Sequence, residues 1–282
     1  MKLGDFQLRR ISDGDIWLDG GAMFGLVPKP LWQKKIPSDE NNRIRLGLNC
    51  LLVQNGKYNI LLDTGCGQKY TDRQRQIYGL ESQTGILHGL EHFGLAAEDI
   101  DLVINSHLHF DHCGGNTSWQ GSDLVPTFPK ARYLIRRREY EDACHPDERS
   151  RATYFAHNWQ PLEEYGLLEL VDEDGEVAPG VSLIATPGHT PGHQSVKIES
   201  GGHTVFYIAD LCPTSAHVPM AWTMGFDECP RTTLETRKRI YPLALQERWL
   251  LFLEHDPEIY SGYLTCDRGR YELEPVAWTD DG

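Results

Sequence analysis

Short apolar runs separated by turn residues recur along the chain and predict a mixture of strands and helices. Leu48–Val53 and Tyr58–Leu62 flank Asn55-Gly56, a dipeptide that closes β-hairpins because both residues accept positive φ. Apolar runs at Asp101–Asn105, Ala131–Ile135, Val181–Ala185, Thr204–Ala209 and Trp249–Leu253 predict further strands. Helical patterns fall near Gly85–His92, Arg136–Cys144 and Thr232–Leu245. Strands mixed with helices throughout indicate a layered α/β domain. No repeat, low-complexity tract or flexible linker divides the chain, so one domain over residues 1–282 is expected.

The stretch from Gly20 to Gly47 breaks this pattern. It combines Gly20-Gly21, Pro28, Pro30 and Pro37 with the apolar Met23, Phe24, Leu26, Val27, Leu31 and Trp32. An irregular loop this apolar is not left fully solvated; it covers a pocket or meets a partner subunit, and the sequence does not choose between them.

Four of the expected strands share a feature. Asp101–Asn105 runs into His107, Val181–Ala185 into His189, Thr204–Ala209 into Asp210, and Trp249–Leu253 stops just before His255. Layered α/β domains carry their polar chemistry where loops leave the strand ends, so these residues can converge on one rim.

The densest segment is Ser106-His107-Leu108-His109-Phe110-Asp111-His112-Cys113-Gly114-Gly115. His107 and His109 lie two apart and project to one side of an extended chain. Asp111 and His112 are adjacent and point apart unless the chain turns. The arrangement suits two ions, with His107 and His109 on one and Asp111 and His112 on the other. His189 can complete a three-histidine set, Asp210 can bridge both ions, and His255 can finish the second. Imidazole and carboxylate without thiolate suit two divalent ions, zinc foremost, with iron, manganese or cobalt as substitutes.

An isolated His-x-His is usually incidental, but four metal-capable residues in six positions after a β-type run are not. His255 is the weakest ligand on sequence grounds. His193 is assigned a structural or supporting role, and His88, His92, His145, His157, His203 and His217 ordinary structural ones. Asp63, in Leu61-Leu62-Asp63-Thr64-Gly65, orients a ligand histidine or caps a turn, the former being favoured. Cys113 and Cys212 are read as packing residues.

Composition changes the picture little: 40% hydrophobic and 24% charged residues are ordinary for a globular protein. The net charge of −14 disfavours nucleic acid, which is held mainly by Lys and Arg. No apolar run approaches the roughly 18 residues of a membrane span. Seven cysteines without a CxxC pair, and an N-terminus lacking a signal-peptide core, lead us to expect free thiols and a cytoplasmic protein.

His107-x-His109-x-Asp111-His112 followed by His189, Asp210 and His255 resembles the metallo-β-lactamase superfamily over nearly the whole chain. The resemblance implies an αβ/βα sandwich of two mixed sheets with outer helices and a dinuclear site at the sheet edge. Within that superfamily, Ser106–Asn116, Thr186–His193 and Ile208–Thr214 look most like the quorum-quenching lactonases, which open N-acyl homoserine lactones and related γ-lactones. Asp210 as a bridging carboxylate separates the chain from true β-lactamases. One position departs from many such lactonases, which carry a substrate-binding tyrosine three residues after that aspartate; here it is Pro213. Tyr154 or Tyr207 is expected to assist instead, or the substrate differs.

The expected chemistry is attack of a metal-bridging hydroxide on a lactone or ester carbonyl, with Asp111 relaying the proton to the leaving group. Phosphotriesterase, arylesterase or thioesterase activity on the same site is the nearest rival, and metal-dependent ligand binding without turnover a remoter one. The family habit and the apolar N-terminal loop also suggest a homodimer.

Overall fold

The computed structural model describes residues 1–80 and 85–279. β1 (Lys2–Leu3), β2 (Phe6–Asp19), β3 (Arg43–Gln54) and β4 (Asn59–Leu62) follow one another antiparallel, and β5 (Leu102–Ile104) joins β4 in parallel. After a separate hairpin of β6 (Thr117–Gln120) and β7 (Asp123–Pro126), β8 (Arg132–Arg136) and β9 (Leu168–Val171) extend the sheet in parallel, in the order β1-β2-β3-β4-β5-β8-β9. The second sheet takes β10 (Gly175–Ala178), β11 (Val181–Ala185), β12 (Gln194–Ser200), β13 (His203–Tyr207), β14 (Leu250–Phe252), β15 (Ser261–Asp267) and β16 (Arg270–Pro275) in sequence order. Only its β13–β14 pair is parallel.

The helices are α1 (Gly20–Phe24), α2 (Lys29–Trp32), α3 (Asp72–Tyr78), α4 (Ile86–His92), α5 (Phe110–Cys113), α6 (Arg137–Cys144), α7 (Gln160–Glu164) and α8 (Pro230–Gln246). Parallel neighbours need a crossover. The segment carrying α3 and α4 supplies one between β4 and β5, and that carrying α8 one between β13 and β14.

The apolar runs lack polar alternation because both faces of the central strands are covered. Ile60 and Leu62 face the second sheet and pack in one core with Val181, Val196, Val205 and Tyr207. Leu61, between them, faces outward into a core with Ile86 and Leu90 of α4. The second sheet repeats the rule, with Phe206 and Leu251 packing outward against Ile240 and Ala244 of α8. Each fully buried Val, Leu, Ile or Phe among them contributes about 1.5–3 kcal/mol. The result is the expected αβ/βα sandwich of two mixed sheets with outer helices.

The expected strand Val181–Ala185 is found with those bounds, and most others shift by one or two residues. The 20–47 stretch is more ordered than expected: α1 and α2 fall within it, and its last five residues belong to β3. Phe24 stacks on Trp32 at 5.1 Å and on His217 at 4.4 Å, which folds the segment onto the body. Leu26, by contrast, is fully exposed. The 14-residue β2 escapes the apolar pattern because polar residues interrupt both of its faces, Arg9 beside Ile11 on one and Arg10 beside Leu8 on the other, and an irregularity between Ser12 and Asp15 breaks the two-residue period.

No helix among the described residues is long and apolar enough to cross a membrane. All seven cysteines are free, with Cys113 and Cys212 buried as packing residues.

Gly114, just after α5, lies so close to the turn after β4 that a Cβ there would sit 2.0 Å from the Cys66 carbonyl oxygen. Gly114→Ala is therefore expected to destabilise the protein by about 1–3 kcal/mol in urea unfolding. Unchanged stability would show that the two segments are not held in this contact.

Candidate metal centre

The ends of β5, β11, β13 and β14 meet at one edge of the sandwich. His107 and His109 leave the end of β5 on the same side, and α5 then turns the chain so that Asp111 and His112 both face the cluster. His189 follows β11 in a turn where Gly188, at φ +142°, approaches the start of α8; a Cβ there would sit 2.3 Å from the Thr233 nitrogen. Asp210 lies in a single turn after β13, preceded by Ala209 at φ +46°. A non-glycine residue in that region costs of order 1–3 kcal/mol, which the surrounding packing must offset. His255 follows β14. All seven side chains are buried.

The acceptor behind four of the rings decides where the proton sits. The His112 Nδ1 lies 3.0 Å from Glu254 Oε2 and 3.1 Å from Asp63 Oδ2. His189 Nδ1 lies 3.1 Å from Asp227 Oδ1, and His255 Nδ1 2.8 Å from the Gly47 carbonyl oxygen. The Ser106 hydroxyl donates to Asp63 Oδ2 at 2.6 Å, so its lone pair is free to accept from His107 Nδ1 at 3.0 Å. Each Nδ1 is thus the N–H, and in the neutral ring the Nε2 lone pair is presented on the opposite side.

Those lone pairs converge. His107 Nε2 and His189 Nε2 each lie 3.0 Å from His109 Nδ1, and His112 Nε2 lies 3.1 Å from His255 Nε2. Asp210 spans the two groups, with Oδ2 3.1 Å from His189 Nε2 and Oδ1 3.3 Å from His255 Nε2. Asp111 presents Oδ1 3.9 Å from His112 Nε2 and Oδ2 3.8 Å from His255 Nε2. Tetrahedral zinc with Zn–N near 2.0–2.1 Å separates its ligand nitrogens by about 3.3 Å. The observed spacings fit such a cradle. Asp210 Oδ1, buried and without a hydrogen-bond donor, fits a cation too. His107, His109 and His189 could hold one ion, Asp111, His112 and His255 the other, and Asp210 could bridge them.

The electrostatics follow from burial and these carboxylates. Burial, then the neighbouring histidines, holds His107 and His109 well below the usual imidazole range. At His112 burial acts in the same direction, but Glu254, Asp210 and Asp111 outweigh it and push the group well above that range. Burial is likewise outweighed at His255, which the Asp210 charge raises to about 9. Asp210, which burial alone would raise, is held far below the carboxylate range by His189, His255 and His112. Burial is outweighed by Asp210 at His189 too, so protons on His189, His112 and His255 balance Asp210, and cations can take their place.

Asp63 has the favoured supporting role, with its carboxylate accepting from the Ser106 N–H at 2.7 Å and touching His112. His193 is a core residue held by Thr186, and His217 lies between Thr214 and the Met23 carbonyl. Tyr154 and Tyr207 do not serve as the expected substrate donors: their hydroxyls donate to Glu139 Oε1 at 3.0 Å and to Asp63 Oδ2 at 3.1 Å, and neither side chain lines the cavity. Glu254, Asp227 and Glu139 escaped the sequence reading. Glu254 offered a signal in its place beside His255; Asp227 and Glu139 offered none, being brought in only by folding.

The cluster floors a cavity of about 380 Å³. Its walls are largely apolar, from Leu18, Met23, Leu46, Phe110, Met224 and Phe226, with Tyr78, Arg149 and Glu228 as polar members. Of the two roles open to the apolar N-terminal stretch, covering a pocket is the one Met23 fulfils.

The metallo-beta-lactamase superfamily model matches residues 44–261. An N-acyl homoserine lactonase of Bacillus thuringiensis is 30% identical over 231 residues, covering 76% of this chain and 83% of its own. A probable metal-dependent hydrolase from Staphylococcus aureus has a similar structure, with a TM-score of 0.90 at 30% identity over 99% of this chain and 100% of its own. An N-acyl homoserine lactone hydrolase with N-hexanoyl-L-homoserine bound at its catalytic metal centre gives a TM-score of 0.69 at 27% identity, covering 92% and 95%.

Removing the carboxylate behind a ligand histidine commonly weakens metal binding 10–100-fold. Asp227→Ala, which frees His189 Nδ1, is expected to lower metal affinity by about that factor in chelator competition. Wild-type affinity in the variant would remove Asp227 from this role.

Proposed function

The chain belongs to the metallo-beta-lactamase superfamily, and from that premise we propose that it is a dinuclear zinc hydrolase opening N-acyl homoserine lactones or related γ-lactones. The observation that carries this reading is that His109, Asp111, His189, Asp210 and His255 line the floor of one apolar-walled cavity, with His107 and His112 of the same cluster buried beside them. Relatives that are lactonases support it. Imidazole and carboxylate donors without thiolate favour zinc, with iron, manganese or cobalt able to substitute. When bound, ions of this kind polarise a carbonyl oxygen and make water nucleophilic near neutral pH.

The chain's own residues do the rest. His107, His109 and His189 fix one side of the floor and Asp111, His112 and His255 the other, while Asp210 sets their separation. Asp111 faces the cavity and takes the proton that water releases as it adds to the lactone carbonyl. As the ring C–O bond breaks, the same carboxyl passes that proton to the departing alkoxide, leaving a hydroxy acid. The cavity lies near the lower end of the roughly 300–1,000 Å³ range of ligand sites, which suits a compact lactone with a short or medium acyl chain. Leu18, Met23, Met224 and Phe226 receive that chain.

With Pro213 in place of a tyrosine, Tyr78 is the phenol left on the cavity wall. Its ring packs on Phe110 at 4.6 Å, and no hydrogen bond joins its hydroxyl to another described residue. That hydroxyl is the one we assign to donate to the substrate.

PH-indicator assays on N-hexanoyl homoserine lactone test the reading, with an aryl ester and a phosphotriester for comparison. The lactone is expected to be the best substrate. Asp111→Asn should lower kcat by about 10²–10⁴ with little change in KM. Tyr78→Phe should lower kcat/KM by a factor of about 3–10, the worth of one hydrogen bond. Faster turnover of the phosphotriester would reassign the substrate class, and full turnover by Asp111→Asn would remove Asp111 from the proton relay.

A further inference from the structure

The three histidines proposed for one ion come from different sheets. His107 and His109 follow β5 of the first sheet, whereas His189 follows β11 of the second. No sheet hydrogen bonding joins those two strands, so their spacing must be set by something else. Gln194 supplies one tie at the edge of the core, donating from its backbone N–H to the Ser106 carbonyl at 2.9 Å. A second tie lies nearer the histidines.

Glu139 of α6 is buried and its carboxylate reaches three donors. Oε1 accepts from the N–H of Leu108, the residue between His107 and His109, at 2.9 Å. The same oxygen accepts from the Tyr154 hydroxyl at 3.0 Å, and the Tyr154 ring packs 4.9 Å from the His109 ring. Oε2 accepts from the hydroxyl of Thr190, the residue after His189, at 2.5 Å. The fit is close on that side as well, since a Cβ on Gly192 would sit 2.2 Å from the Glu139 nitrogen. Among the described residues no Lys or Arg pairs with Glu139; three neutral donors hold its charge.

From this bridge between Leu108 and Thr190 we infer that Glu139 is a positioning residue for the three-histidine ion, holding His107 and His109 in place against His189 so that His107 Nε2 and His189 Nε2 both lie 3.0 Å from His109 Nδ1. The inference rests on the two-ion reading of the centre. One carboxylate holds the backbone between two ligands, the aromatic wall of the second and the residue beside the third. Its loss would loosen the three-histidine group, while His112 keeps its supports in Asp63 and Glu254 and His255 its support in the Gly47 carbonyl.

The test is cobalt(II) loading followed by chelator competition and visible absorption, on wild type, Glu139→Ala, Glu139→Gln and Thr190→Val. Wild type should take up two equivalents; if it takes up none, the two-ion reading fails and this inference goes with it. Glu139→Ala should hold one ion about 10–100-fold more weakly and alter its ligand-field bands, leaving the other ion unchanged. Glu139→Gln, whose amide oxygen can still accept from Leu108 and Tyr154, should recover most of that loss. Thr190→Val, which removes one donor and keeps the buried carboxylate, should weaken the same ion to a smaller extent, and it decides the matter if Glu139→Ala does not fold. Wild-type affinity and spectrum in Glu139→Ala, or in Thr190→Val where the alanine variant fails to fold, would overturn the inference. Equal weakening of both ions in a folded variant would do so too.

Discussion

Ring nitrogens whose lone pairs face one another at about 3 Å, with two buried carboxylates among them, repel unless positive charge lies between. Much of the surrounding architecture bears on that constraint. Asp63, Glu254, Asp227, Ser106 and the Gly47 carbonyl sit behind the rings and draw the N–H outward, so the bare nitrogens have one direction left. An uncompensated buried carboxylate costs several kcal/mol, a large share of a typical domain's stability. Protons on His112 and His255 can meet that demand without a cation, and a divalent ion meets it with coordination as well.

The two sheets make such a concentration of polar groups tolerable. Their shared apolar core anchors the strands, and the donors stand only where strands end and loops begin. Because the clustered donors come from both sheets, they stand on the seam between the halves of the sandwich, which Gln194 and Glu139 reinforce. The cavity above it inherits polar chemistry from the floor and apolar selectivity from its walls.

Much of this was legible in the chain. The run from His107 to His112 is dense enough to declare itself, and apolar strands leading into His189, Asp210 and His255 located the remaining donors. Central strands read well because burial on both faces leaves an uninterrupted apolar run, as at Ile60–Leu62. β2 read poorly because polar residues interrupt both of its faces and its period is broken. Sequence could not pair Glu139 with Leu108 and Thr190, or Asp227 with His189, since those partners lie 31, 51 and 38 residues apart and only tertiary packing brings them together. Tyr154 and Tyr207 misled for the same reason: a phenol's partners are set by the fold, and both belong to buried acids.

The proposed function stands on two ions, held by this cluster, opening a lactone ring. The most direct measurement is to strip the protein with chelator, restore zinc in steps, and follow N-hexanoyl homoserine lactone hydrolysis beside bound metal, with His109→Ala as control. No turnover is expected in the stripped protein, with activity that climbs to its plateau at two equivalents and stays low in the variant. Full turnover without metal, or two bound ions with no lactone opening, would contradict it.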